Sequence, residues 1–174
     1  MNGEIVKIAI TRNHDDIGEF TDRHFYQESE RLKLNYVVKR GLTIKTTTKE
    51  GTEQGRVPDV SVIDRTWWRA ERKAYAALES PIQLAVEVVS TNWEDDYVDK
   101  LDEYERLGIA EYWIIDYLAI GKREYLGNPK IPTVFVFSLN NEGKYQDTQF
   151  KDNEQIVSPT FPELVLTADR LLLA

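Results

Sequence analysis

The sequence predicts one α/β (α+β) domain built on a central mixed β-sheet with flanking helices. Three observations carry this. IQLAVEVVS (82–90) and EYWIIDY (111–117) are apolar on both faces, as strands covered on both sides are. The segment between them has helical character and stops at Gly108, so the two strands form a crossover unit and lie parallel. TVFVFSLN (133–140) and GKYQDTQF (143–150) form a hairpin through Asn140, Asn141 and Gly143.

The remaining elements follow in chain order. Residues 4–10 predict a strand and 17–30 a helix. LKLNYVV (32–38) and LTIKTTT (42–48) predict a second hairpin turning at KRG (39–41), where Gly41 supplies backbone freedom, with a loop over 49–56. VPDVSVID (57–64) alternates as a strand, Val60 and Val62 on one face and Val57, Asp59, Ser61 and Ile63 on the other. Residues 65–80 predict a loop and a short helix ending before Pro81. Trp67 and Trp68 there read as core cover, a subunit contact or a stacking surface for bases. Thr91 with Glu94, or Asn92 with Asp95, predicts a capped helix start. The helix then buries a stripe of Tyr97, Val98, Leu101, Tyr104 and Leu107. The tail packs Phe161, Pro162 and ADRLLLA against the core.

At 174 residues the chain fits a single domain, 1–174. Hydrophobic residues at 41% and charged residues at 30% exclude wholesale disorder. No run is long and apolar enough for a membrane span, and MNGEIVKIAI, with Glu4 among its apolar residues, does not read as a signal peptide. A cytoplasmic protein is expected. The absence of cysteine removes disulfides, thiol nucleophiles and cysteine-ligated zinc. With 22 basic and 30 acidic residues the net charge is −8, which argues against a non-specific DNA-coating protein. It leaves room for an enzyme that meets DNA through a few basic groups and a bound metal.

Glu87 is the most informative residue. It lies in an apolar strand, where a carboxylate must be protonated, paired or metal-bound. Asp59 poses the same problem on the preceding strand. Two carboxylates on adjacent central strands repel unless a cation lies between them, and oxygen donors suit Mg²⁺ or Mn²⁺. Each acid could instead pair with a basic side chain or cap a loop. Lys100 borders the core-facing stripe of its helix, and its stem can carry the ammonium toward the end of strand 82–90. There it would stabilise charge on a phosphate, or orient or deprotonate water; the plainer reading is a surface ion pair with Asp96. His14 and His24 read as surface or capping residues, and Glu94, Asp95 and Asp96 as acids favoured by the helix dipole.

VPDVSVID, AVEVVS and DDYVDKLDEYERLGIAEYWIIDY resemble the Uma2 family, a former domain of unknown function in the PD-(D/E)XK nuclease superfamily. Pro58-Asp59 and Glu87 match the first two elements of the superfamily pattern. The lysine expected two residues after the second acid is replaced by Val89, and Lys100 matches a variant in which it has moved to the following helix. The resemblance, strongest over 57–117, implies a restriction-endonuclease-like core and metal-dependent hydrolysis of DNA. Asp59, Glu87 and the Val88 carbonyl would hold Mg²⁺ or Mn²⁺, with Lys100 as catalytic lysine and Ser90 in the pattern without a chemical step. A homodimer is expected if both strands of a duplex are cut. Family members open with a longer segment whose hairpin carries an acid; Glu28 and Glu30 are its candidates here. The alternative function is an inactive nuclease-like fold used for binding or regulation.

Overall fold

The computed structural model describes residues 11–70 and 77–174, so the strand expected at 4–10 and part of the helix expected before Pro81 lie outside the described residues. The first described element is a helix, α1 (Arg12–Arg31), longer than expected, whose first turn is closed by the Thr11 side chain accepting from the His14 amide at 3.2 Å. Eight strands follow: β1 (Tyr36–Lys39), β2 (Ile44–Thr47), β3 (Glu53–Arg56), β4 (Val60–Asp64), β5 (Leu84–Val88), β6 (Glu111–Asp116), β7 (Thr133–Leu139) and β8 (Tyr145–Phe150). Helix α2 (Arg65–Ala70) follows β4 directly, α3 (Lys100–Leu107) lies between β5 and β6, α4 (Arg123–Leu126) precedes β7, and α5 (Ala168–Leu172) closes the chain.

Among the described residues, six strands form one mixed sheet in the order β1-β4-β5-β6-β7-β8, in which only β5 and β6 run parallel. Both are buried at every residue, as their apolar runs require. One face is covered by α1, α5 and the tail, with Phe25, Phe161 and Leu171 packed on Val60, Val86 and Trp113. The other is covered by α3 and the elements around it, with Tyr97 and Tyr104 on Ala85, Val89 and Ile114. The β7–β8 hairpin forms as expected: the Asn140 side chain accepts from the amides of Glu142 and Lys144, and Gly143 takes φ +72°.

Three expectations are corrected. The strands near 32–38 and 42–48 do not pair with each other: β1 joins β4, while β2 pairs with β3 inside the supposed loop 49–56. The turn of that hairpin falls at Gly51 (φ +85°), not Gly41. The start of the helix after β5 carries no side-chain cap; residues Asp95–Asp99 instead form a π-helical turn that runs into α3. Val98 is exposed and leaves the buried stripe, whereas Tyr97 and Tyr104 remain in it. At the far end Gly108 takes the left-handed conformation (φ +86°) and its amide reaches back to the Tyr104 and Glu105 carbonyls, as expected.

Candidate active site

The site lies at the carboxyl end of β5. Asp59, just before β4, is fastened there because its Oδ2 accepts the Val88 amide at 2.7 Å, one residue beyond Glu87. Glu87 is 3% exposed, and both its oxygens are engaged from the helix above: Oε1 accepts the Tyr104 hydroxyl at 2.8 Å, and Oε2 lies 2.9 Å from Lys100 Nζ. Lys100 therefore turns inward. Its ammonium also meets Asp96 Oδ1 at 2.8 Å, so the expected Asp96 pair exists, but Asp96 is buried rather than on a solvated face.

The π-helical turn accounts for this arrangement. It places Asp95 one wide turn before Lys100, with the Lys100 amide donating to the Asp95 carbonyl. Asp95 Oδ2 stands 3.9 Å from the ammonium. On its other side Asp95 is held by Arg56 of β3, whose Nη1 contacts its two oxygens at 2.9 and 3.1 Å. The same guanidinium is bidentate to Glu103, at 2.8 Å from each oxygen. Glu103 also accepts Thr46 Oγ1 at 2.7 Å and Gln54 Nε2 at 2.6 Å, which pins the β2–β3 hairpin to α3.

Charge within the site is unbalanced. Burial pushes the Glu87 carboxyl up to about 8 against the pull of Lys100, with Asp96 and Asp59 adding repulsion. Burial likewise lifts Asp96 to about 6 and raises Asp59. Burial opposes the charge on Lys100, yet Glu87 and Asp96 outweigh it and hold the ammonium more firmly protonated than an ordinary lysine. Two buried carboxyl groups, Glu87 and Asp96, thus share one ammonium beside the half-buried Asp59, an excess of acid of the kind that a hard divalent cation could neutralise. Among the described residues, no donor is hydrogen-bonded to Asp59 Oδ1 or Asp96 Oδ2. No group of three or more His, Asp or Glu side chains among the described residues is placed to hold a metal ion. Two carboxylates with a backbone carbonyl are a different donor set, one that suits Mg²⁺, which keeps several of its waters.

His14, expected at the surface, is buried, and its Nε2 stands 3.5 Å from Asp59 Oδ2. That is beyond a normal hydrogen bond, and its Nδ1 has no partner. His24 is buried too, stacked on Phe20 at 5.6 Å, far along α1. Glu28 is held by Arg31 and Glu30 by Arg65, so neither acid is spent on this site. Sequence reading paired Asp96 with Lys100 but placed it at the surface, and it missed His14, Asp95, Arg56 and Tyr104 as site residues. Only Tyr104, one turn from Lys100 on the core-facing stripe, carried a usable signal.

The comparisons extend the likeness well beyond 57–117. A family model described as "Putative restriction endonuclease", Uma2, matches residues 1–169. Among solved structures, the chain is similar to a protein titled "a putative nuclease belonging to DUF820 from Anabaena variabilis", at 18% identity and TM-score 0.67 over 99% of this chain and 88% of that one. At that identity the likeness shows the fold. No curated protein matches. No helix among the described residues is long and apolar enough to cross a membrane. With its fold shared and nearly its whole length matched, the chain belongs to the Uma2 family.

Proposed function

We propose that this protein is a metal-dependent DNA endonuclease, acting in the cytoplasm and cutting duplex DNA as a homodimer. The observation that carries the reading is the buried Glu87–Lys100 contact at 2.9 Å, set beside Asp59 on a chain of this family. Asp59, Glu87 and the Val88 carbonyl would hold Mg²⁺ or Mn²⁺. The ion, when bound, supplies an activated water and neutralises charge on the phosphate.

The chain's own groups have definable tasks. The Val88 amide orients Asp59, and the Tyr104 hydroxyl orients Glu87. Lys100, clasped by two carboxylates, keeps its proton and so is no base; its task is to present positive charge to the non-bridging phosphate oxygens as negative charge grows on them. Of the roles open to that lysine on sequence grounds, its contacts with Glu87 and Asp96 favour charge stabilisation. The alternative, an inactive fold used for binding, draws on the net charge of −8 and on the full occupation of both Glu87 oxygens.

Calorimetric titration of Mn²⁺ into wild type and Glu87→Ala, alongside plasmid cleavage by wild type, Asp59→Ala and Lys100→Ala, tests the proposal. Binding lost in Glu87→Ala is expected, with cleavage reduced at least a hundredfold in the other two variants, on the order expected for removing a principal electrostatic stabiliser. A folded wild type that binds no Mn²⁺ and cuts no DNA would leave the inactive-fold reading in its place.

A further inference from the structure

Arg56 sits outside the motif that carries the family resemblance, yet it touches the acids on both sides of Lys100. Its fork is fully used: Nε and Nη2 on Glu103, and Nη1 on Asp95. Glu103 follows Lys100 by three residues, and Asp95 precedes it by one π-helical turn, so both lie on the lysine's side of the helix. Hydrogen bonds from Arg56, Thr46 and Gln54 outweigh burial and keep Glu103 below the ordinary glutamate range. Both acids thus lie on the lysine's side of the helix, and both are already engaged by Arg56.

We propose that Arg56 is a positioning residue for Lys100: by holding Asp95 and Glu103 it keeps those acids from drawing the ammonium away from Glu87. The 3.9 Å gap between Asp95 Oδ2 and Lys100 Nζ is the basis. It is about 1 Å longer than the lysine's contacts with Glu87 and Asp96, and Asp95 is the more hydrated of the three acids, at 22% exposure against 4% and 6%. An Asp95 freed from Arg56 competes for the ammonium from a site where less desolvation is needed. Lys100 then moves outward, and Glu87 is left buried without its cation. A lysine at position 56 cannot substitute, because a single ammonium does not span two carboxylates as a guanidinium fork does.

The inference rests on the nuclease reading for its kinetic arm only, and a rescue experiment separates it from a merely structural clip. Arg56→Gln is expected to lower kcat of Mn²⁺-supported plasmid cleavage at least tenfold, with KM within about twofold of wild type. Adding Asp95→Asn should bring kcat back to within about threefold, because the competing charge is gone. If Arg56 only fastened the hairpin, the double variant would be no better than the single one. The second readout needs no activity: the Lys100 Nζ resonance of ¹⁵N-lysine-labelled protein, assigned by its loss in Lys100→Met. It should shift in Arg56→Gln and return in Arg56→Gln/Asp95→Asn. Arg56→Lys keeps a cation on Glu103 and releases Asp95; it stands in if the Gln variant does not fold, with the same loss expected. A wild type that cleaves nothing would sink the nuclease reading while the resonance still judges Arg56. An unmoved resonance in Arg56→Gln, or a double variant that is not rescued, would overturn the inference.

Discussion

At the scale of single residues, Glu87 is a carboxyl group whose charge the fold resists. Its pKa, pushed up to about 8 by burial, lies well above the ordinary glutamate value of 4.5, to which unfolding returns it. Between those values the folded chain keeps a proton that the unfolded chain releases, so stability falls as pH rises through the window and levels off above it. The metal-free protein should accordingly melt at lower temperature at pH 8 than at pH 6, and Glu87→Gln should flatten that slope, an effect on the order of a few kcal/mol at most. Calorimetric melts at both pH values decide it; an equal slope in the variant would assign the effect to Asp59 and Asp96. A metal ligand must lose its proton, so Mn²⁺ should bind more tightly at pH 8 than at pH 6 and release protons as it does so. Titrations in buffers of different ionisation enthalpy measure that release, and its absence would mean that Glu87 is not a ligand. Glu87 announced itself in the sequence because a lone acid in an apolar strand has few explanations. Asp96 was read only as a surface partner of Lys100, because an acid in a first helical turn is already accounted for by the helix dipole. Arg56 was invisible for another reason: its partners Asp95 and Glu103 lie 39 and 47 residues away, and nothing local selects them.

Among the elements, the β2–β3 hairpin shows where local signals run out. Residues 36–39 and 44–47 both read as strands and both are strands, but a strand's partner is chosen by the sheet rather than by the nearest turn. β1 finds partial cover on both faces beside β4, and β2 is left to pair with a polar segment, Glu53–Arg56, that has little strand character of its own. A two-stranded ribbon is marginal in water. This one is held by the Leu78 bridge to Ile44 and by the buried Glu103, which gathers Thr46, Gln54 and Arg56. Glu103→Ala should release the ribbon: hydrogen exchange at residues 44–56 rises at least tenfold while β5 and β6 stay protected. If exchange rises equally across the six-stranded sheet, the ribbon is part of the cooperative core and not a pinned accessory. The parallel pair β5 and β6 was legible for the opposite reason. Two runs buried on both faces, joined by a helix with a glycine stop, admit one arrangement, and it forms in register Glu87 to Ile114.

For the molecule as a whole, the net charge of −8 sets how DNA can be met. Many of the cations are already committed: Arg31, Arg40, Lys45, Arg56, Arg65, Lys100, Arg106 and Lys144 each sit within 4.0 Å of a carboxylate. The remaining cations act against an excess of acid, and the salt dependence of binding reports how many phosphates they neutralise, falling with a slope of about −0.9 per phosphate contact on duplex DNA. A nuclease of this charge should bind DNA weakly in EDTA, at least tenfold more tightly with Ca²⁺ as a substitute divalent ion, and with a shallow slope equivalent to about two or three contacts. The proposed ion would account for the gain by relieving the repulsion among Asp59, Glu87 and Asp96, which the phosphate would otherwise face directly. Fluorescence anisotropy over a range of salt, with and without Ca²⁺, measures both quantities. Tight binding in EDTA with a steep slope would mean that a cationic surface carries the DNA, and that the acid cluster at the end of β5 serves some purpose other than holding a metal against phosphate.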